Sequence, residues 1–208
     1  MKRTSIPILM LVLPFLFAVS AKAQNSDYVV NNHGDTIKCS IKTPTMGQPK
    51  YHPLDAPNDT YIKITIEDIK EYYLAETDIT IRRIYKDNTK ASYNVEFLRA
   101  FEKGAINLYL EERSNSYSIN NTTYGTRYVD MYVTKGSDTA RLLKTSRVAA
   151  LSDENIEQKN YLAGLLKDKK DVYDKFIKDN KFGIRDIQNI VRIYNTGTEI
   201  KKHKHRVF

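Results

Sequence analysis

The chain has 208 residues, with 33 lysines and arginines against 25 aspartates and glutamates, and its formal net charge is +8. Three of these cations fall in residues 1–23 and four in residues 201–208, two segments without acids, so the body between them carries only about +1. A near-neutral body argues against a nucleic-acid-binding domain, whose basic residues should spread over one face of the fold. The content of 41% hydrophobic and 28% charged residues excludes a disordered, collagen-like or multi-span membrane protein and predicts one globular domain.

The first 23 residues have the pattern of a secretory signal peptide. Two basic residues precede an apolar run over residues 6–19, and Ala21-Lys22-Ala23 is the small-x-small pattern after which a signal peptidase cuts. The alternative is a membrane-anchoring helix, but the apolar run is shorter than the roughly 20 residues that a span needs, and Pro14 interrupts it. We therefore expect cleavage after Ala23 and export to the periplasm, the cell surface or the extracellular medium. No later stretch is long and apolar enough to span a bilayer.

Cys39 is the only cysteine, so no intramolecular disulfide can form in an oxidising compartment. It alternates with Ile37 and Ile41, which predicts a small apolar residue on the inner face of a strand. A catalytic thiol and an intermolecular disulfide are the alternatives.

Alternating apolar residues predict three β-hairpins in the first part of the chain. The first joins residues 28–30 to 36–42 through the turn-forming residues 31–35, the second joins 98–101 to 106–110 around Lys103-Gly104, and the third joins 128–134 to 139–143 around residues 135–138. Further short strands are predicted at 61–66, 72–74, 79–85 and 93–97. Residues 113–125 form a polar stretch between the second and third hairpins.

Four prolines lie between residues 43 and 60, a segment that we predict to be a loop of roughly 17 residues. Long loops without regular structure are often functional in compact domains. Within it, Tyr51, His52 and Asp55 are the polar and aromatic candidates and are the predicted ligand-binding residues.

From Ser152 the apolar period changes from two to about 3.6, which predicts three short amphipathic helices. Their predicted starts are Ser152 or Asp153, Asp168 and Gly183, and Asn195-Thr196-Gly197 supplies a stop. The fold class is therefore α+β, a mainly antiparallel sheet, rolled or sandwich-like, with a C-terminal cap of about three short helices. We expect one domain over residues 24–200, β-rich over 24–150 and helical over 151–200, followed by a basic tail at 201–208.

The sequence carries no signature of catalysis, of a metal site or of a cofactor. It lacks a His-Glu-x-x-His, a Cys-x-x-Cys, a calcium loop, a Gly-x-Ser-x-Gly elbow and a Gly-rich phosphate loop. We accordingly predict no catalytic residue, no metal ligand and no cofactor.

The basic tail contains Lys201, Lys202, Lys204 and Arg206. It is either a solvated end or a contact for anionic lipid or polysaccharide at a membrane surface.

Three short motifs together resemble a group of uncharacterised exported proteins of Bacteroidota-type bacteria. They are Ala21-Lys22-Ala23-Gln24 at the cleavage site, Gly34-Asp35-Thr36-Ile37 in the first hairpin, and Ile190-Val191-Arg192-Ile193-Tyr194-Asn195 near the end. Where such proteins often carry glycine after the Asp-Thr-Ile-Lys stretch, this chain has Cys39. The resemblance implies export and a β-rich fold that ends in short helices, and it implies no activity.

These observations predict an exported envelope protein that acts as a non-catalytic binding or interaction module, through a sheet face or the proline-rich segment. Its partner would be a protein or an envelope polymer. The alternative is an envelope hydrolase with a dispersed active site, which a deep cavity with convergent carboxylates or a histidine would favour. A third hypothesis is an adhesion or structural component that uses the basic tail.

Overall fold

A computed structural model describes residues 26–57, 60–87, 94–119, 122–146 and 153–200. Within these ranges the chain forms ten strands and three helices, which confirms the predicted α+β class. The strands are β1 (Tyr28–Asn31), β2 (Thr36–Lys42), β3 (Lys50–Pro53), β4 (Ile62–Lys63), β5 (Ile69–Leu74), β6 (Ile79–Lys86), β7 (Asn94–Glu102), β8 (Ile106–Ile119), β9 (Thr122–Lys135) and β10 (Thr139–Thr145), and the helices are α1 (Asp153–Leu166), α2 (Lys170–Asp179) and α3 (Ile184–Thr196). The predicted signal peptide and basic tail lie outside the described residues.

The ten strands form one sheet in the order β10-β9-β8-β7-β6-β5-β1-β2-β3-β4. β10 also pairs with β6, in parallel, through the rungs Thr139↔Tyr85 and Ala140↔Lys86. Because five successive antiparallel strands leave the first and the fifth pointing the same way, this parallel pairing closes β6–β10 into a roll. The rolled form of the sheet was one of the two predicted from the sequence.

The inside of the roll is apolar in its middle and polar towards its ends. Side chains alternate along a strand, so Thr80, Ile84 and Lys86 of β6 share the inner face. The middle is filled by a buried cluster consisting of Ile84, Leu98, Tyr109, Tyr132 and Ala140. Thr80 and Lys86 therefore lie on either side of this apolar plug.

The three helices cover the outer face of β8–β10 and confirm the predicted helical stripes. The core beneath them comprises Ile106, Leu108, Met131, Val133, Leu143, Leu162, Ala163, Leu166, Val172, Phe176, Ile187, Ile190, Val191 and Tyr194. Ile177 of α2 lies outside this core and is 47% exposed. The amide of Gly183 donates to the Asp186 carboxylate at 3.1 Å where α3 begins, and Gly197 ends the helix with a left-handed φ of 74°.

The end of α3 is fastened to the turn between β7 and β8. Asn195 accepts the Ile106 N–H at 3.1 Å and donates to the Ile106 carbonyl at 2.7 Å. A Cβ on Gly104 would lie 2.4 Å from Cγ of Asn195. Only glycine therefore fits under this side chain without displacing it.

A second, smaller core lies against the N-terminal strands. It contains Val29, Cys39, Tyr51, Ile64, Ile69 and Tyr72. Cys39 is 3% exposed, and burial, followed by the nearby Asp27 carboxylate, raises its pKa to about 12. The predicted role of Cys39 as an interior side chain of a strand is confirmed.

Two predictions for the proline-rich region are wrong. The expected loop over residues 43–60 contains β3, which pairs with β2 from Lys42↔Lys50 to Cys39↔Pro53. The prolines tolerate this because Pro49 precedes the strand and Pro53 is its last residue. The expected strand over 61–66 is only two residues long, because Thr65 turns the chain by accepting the Asp68 N–H and bonding its carboxylate at 2.8 Å.

The described residues of the polar stretch over 113–125 belong to β8 and β9. β8 and β9 pair rung for rung from Ile106↔Lys135 to Ile119↔Thr122. β8 pairs with β7 only as far as Leu110, and β9 pairs with β10 only as far as Asp130. Beyond these points, residues 113–119 and 122–128 form a ribbon whose two strands pair only with each other among the described residues. The sequence from 114 to 126 contains only uncharged, mostly polar residues, which hid the strand period from sequence reasoning.

Helices that could cross a membrane are not found in the described ranges.

Candidate functional site

A groove of about 540 Å³ opens at one end of the roll, between the N-terminal strands and the end of α3. We call it the tyrosine groove. Its floor and one wall come from Tyr28, Tyr73, Thr80 and Ala100, with Asp78 at the rim, and its other wall comes from Glu102, Lys103, Arg192 and Thr196. The volume lies within the range of pockets that hold small ligands.

The floor of the groove is one cross-strand row. Tyr28 pairs with Tyr73, Tyr73 pairs with Thr80, and the rung Ile81↔Arg99 places Ala100 next to Thr80. Residues paired across antiparallel strands share a face, so all four side chains point to the same side. Two small residues beside two large ones make the depression.

The two tyrosines form a stacked pair with fixed hydroxyl groups. Their ring centroids are 5.2 Å apart and the rings are inclined by 22°. The Tyr28 hydroxyl donates to Glu71 at 3.2 Å, and the Tyr73 hydroxyl donates to Asp78 at 2.9 Å. Burial, followed by the Glu71 charge, raises the pKa of Tyr28 to about 12, so this phenol stays protonated at neutral pH.

The opposite wall carries a buried carboxylate. Glu102 is 7% exposed, accepts a hydrogen bond from Gln188 at 3.0 Å and lies 3.3 Å from Nε of Arg192. A bulge between Ala100 and Glu102 shifts the register of β7 at this point. Lys103 donates to the hydroxyl of Thr80 at 2.9 Å. The wall therefore joins α3 to the floor of the groove through charged side chains.

A second polar cluster lies inside the other end of the roll, and we call it the ion cluster. It consists of Lys86, Glu96, Glu111, Arg113, Asp130 and Tyr132. The Lys86 side chain is only 4% exposed, and its ammonium group lies 2.7 Å from Glu96 and 3.1 Å from Glu111. Arg113 binds both oxygens of Glu111, at 2.7 and 2.8 Å.

The ion cluster holds Glu111 in its charged form. Burial alone would raise the pKa of this carboxyl, but hydrogen bonds from Arg113, Tyr132 and Lys86 outweigh it and lower the pKa to about 2. Glu111 stands directly opposite Asp130 in the β8–β9 ladder, and Arg113 contacts both carboxylates. A carboxylate that is ionised near neutral pH cannot donate a proton there, so Glu111 is suited to structure rather than to acid catalysis.

The three predicted ligand-binding residues do not converge. Tyr51 is 9% exposed and faces the small core, and burial raises its pKa. His52 points to the other side of β3, where Nδ1 lies 3.3 Å from the Thr60 carbonyl and the ring lies 5.5 Å from that of Tyr61. Asp55 lines a separate groove of about 430 Å³.

The tyrosine groove escaped sequence reasoning because its residues are scattered along the chain. Tyr28 and Tyr73 meet only through the pairing of β1 with β5, which the sequence does not specify. Arg192 was assigned to a resemblance motif and not to a site. The signal that could have drawn attention is the excess of tyrosine, 15 residues with no tryptophan.

No group of three or more His, Cys, Asp or Glu side chains that could hold a metal ion occurs in the part of the chain that the structure describes. No family model, curated protein or solved structure matches the chain. The function of this chain is therefore inferred from the geometry of its own residues.

Proposed function

We propose that this chain is an exported envelope protein that acts as a non-catalytic binding module and holds its ligand in the tyrosine groove. The observation that carries the proposal is that aromatic, charged and hydroxyl side chains from four strands and one helix line an open cavity there. Export is supported by the signal-peptide pattern of residues 1–23.

The groove has the rigid support that a binding site needs. Its floor lies on paired strands, with the apolar plug of the roll on one side and the small N-terminal core behind it. Asn195 holds the end of α3, and with it the second wall, against the β7–β8 turn. Side chains fixed in this way lose little entropy when a ligand binds.

The alternative function is hydrolysis, and one observation favours it. Asp78 and Glu102 both line the groove, so two carboxylates share one cavity. Glu102 is bonded to Gln188 and Arg192, and Asp78 accepts a hydrogen bond from the Tyr73 hydroxyl. These bonds indicate that the two carboxylates maintain the shape of the groove. If the wild type hydrolyses a bound ligand and Asp78→Asn or Glu102→Gln does not, the chain is an enzyme and the proposal of a non-catalytic binding module is wrong.

The proposal is tested by a thermal-shift screen of the purified chain against glycans, peptidoglycan fragments, lipids, peptides, divalent metals and nucleotides. A ligand at 100 times its Kd stabilises by about 2.7 kcal/mol, which raises Tm by roughly 5–11 °C for a chain of this size. Thr196→Trp fills the groove from an exposed position and should abolish the shift. Lys178→Trp, at an exposed position of α2 that does not line the groove, is the control.

Two results would contradict the proposal. A flat screen on a cooperatively melting protein would argue for a protein partner instead, to be sought by crosslinking in the envelope. A shift that is equal in the wild type and in Thr196→Trp would place the ligand elsewhere.

A further inference from the structure

We propose that the tyrosine groove binds a neutral glycan, a short oligosaccharide that stacks on the tyrosine pair. This inference rests on the proposed function, because it names the chemical class of ligand for the same groove. Three features of the groove carry it: an aromatic platform, a balanced set of charges and a high density of both donors and acceptors.

The platform is formed by Tyr28 and Tyr73. Both rings are half-buried and line the cavity, and they stack on one another with their centroids 5.2 Å apart. Since Glu71 and Asp78 hold the hydroxyls, the rings are oriented before any ligand arrives. A tyrosine ring offers an apolar face with a polar tip at low entropic cost, which suits a ligand that is apolar on its faces and polar at its edges.

The charges that line the groove cancel. Asp78 and Glu102 contribute two negative charges, and Lys103 and Arg192 contribute two positive charges. Arg192 is paired with Glu102. A phosphate, sulfate or carboxylate ligand would therefore meet no surplus of positive charge, and a cationic ligand would meet no surplus of negative charge.

The polar groups of the groove alternate between donors and acceptors over a small area. Ammonium and guanidinium groups of Lys103 and Arg192 only donate, the carboxylates only accept, and the hydroxyls of Thr80 and Thr196 do both. A sugar hydroxyl also does both, so adjacent ring hydroxyls can satisfy such a surface without a net charge. The C–H face of the same sugar ring can lie on the tyrosine platform. A lipid chain would remove these polar groups from water and would offer them no hydrogen bond in return.

The test measures binding of neutral oligosaccharides of two to six units, built from glucose, xylose, mannose or N-acetylglucosamine, to the wild-type chain by isothermal titration calorimetry. We expect Tyr73→Ala to weaken binding by at least about 10-fold, because the platform is lost. Tyr73→Phe retains the ring and should weaken it by less than about 5-fold. Tyr85→Ala removes a half-buried strand tyrosine outside the groove and should leave Kd unchanged.

Salt dependence gives an independent readout. Binding of a neutral ligand should change by less than about 2-fold between 50 and 500 mM NaCl, because charge screening has no net ligand charge to act on. Uronic-acid oligosaccharides of the same length are the anionic control and should bind at least about 10-fold more weakly.

The outcomes separate this inference from the proposed function. If a peptide, lipid or anionic ligand binds the wild type but not Thr196→Trp, and no neutral glycan binds, the groove is a ligand site and the glycan inference is wrong. Equal glycan affinity of the wild type and Tyr73→Ala would also overturn the inference. Failure of every ligand class in the broad screen would remove both proposals.

Discussion

The two polar ends of the roll are built from the same kinds of residue and differ in what their polar groups face. At the ion cluster, Lys86 and Glu111 bind one another inside the protein. Lys86 also binds Glu96, and Glu111 also binds Arg113 and Tyr132. At the tyrosine groove, charged and hydroxyl groups line open space. Charged residues within a fold are therefore not evidence of a functional site by themselves. What separates the two regions is that the paired charges of the groove border an open cavity, whereas Lys86 and Glu111 lie inside the roll.

The energetics of the two regions follow from this difference. A charge taken out of water is costly, and a buried pair recovers that cost only with good geometry and further hydrogen bonds. Glu111 has both, since Arg113 binds it through two nitrogens and Tyr132 and Lys86 add hydrogen bonds. Loss of one member of the ion cluster should therefore be expensive, whereas replacing an exposed groove residue such as Thr196 should cost little stability.

The largest expected effect is that of Lys86→Ala. The substitution leaves Glu111 and Glu96 without their shared cation, and breaking a buried pair in this way costs about 3–5 kcal/mol. Urea unfolding at pH 7 measures the loss. Lys70→Ala is the control, because the Lys70 ammonium is exposed and lies 3.7 Å from Asp138, an arrangement worth less than about 1 kcal/mol. An equal loss of unfolding free energy in the two variants would show that the buried ion pairs of Lys86 stabilise the chain no more than the exposed pair of Lys70.

The pH dependence of stability sharpens the same comparison. The pKa of Glu111 is about 2 in the folded chain against a usual 4.5, so the folded state binds this proton less well than the unfolded state. The resulting stabilisation, about 3 kcal/mol, is complete above pH 5 and is lost as the pH falls from 4.5 towards 2. The difference in unfolding free energy between the wild type and Glu111→Gln should shrink over this range. A difference that stays constant from pH 6 to pH 2.5 would contradict the assignment.

A smaller effect is expected where α3 meets the sheet. Gly104→Ala would push against Asn195 and break its two bonds to Ile106, at a cost of about 2 kcal/mol. Gly164→Ala is the matched control, because no atom lies within 4 Å of the added Cβ and alanine is the better helix former. It should stabilise the chain by up to about 1 kcal/mol, as measured by the urea midpoint. A destabilised Gly164→Ala variant would show that α1 is packed differently.

The smallest effect is expected from removing the ribbon. Replacing residues 114–127 by Asn-Gly would join Arg113 to Tyr128 through a two-residue hairpin turn. Because the ribbon pairs only with itself among the described strands, and a lone hairpin is marginally stable, the free energy of unfolding should change by less than about 1 kcal/mol. A loss above about 2 kcal/mol would show that the ribbon contributes to the core.

Local chemistry made much of the fold predictable. In the first hairpin, Asn31 accepts the N–H groups of His33 and Asp35, both at 2.9 Å, and Gly34 adopts a left-handed φ of 92°. Gly183 and Gly197 mark the ends of α3 as expected. The closing rung Thr139↔Tyr85 could not be predicted, because pairing between distant strands leaves no mark on local periodicity.

The candidate site was less predictable than the fold for the same reason. The prolines around Tyr51 predict a binding loop, but Tyr51 pairs with Ile41 in the sheet and its side chain packs in the small core. The row of Tyr28, Tyr73 and Thr80 exists only after β1, β5 and β6 have paired in register. Such a site becomes visible only in three dimensions.

The central claim is that the ion cluster stabilises the fold while the tyrosine groove binds a ligand. The most direct test measures the free energy of unfolding and the Kd of the best ligand from the screen for Glu111→Gln and Thr196→Trp side by side. We expect Glu111→Gln to lose about 3 kcal/mol of stability with its Kd unchanged. Thr196→Trp should lose binding and about 1 kcal/mol of stability, because its hydroxyl bonds the Arg192 carbonyl and Thr198. Loss of binding in Glu111→Gln at full stability, or unaltered binding in Thr196→Trp, would contradict the claim.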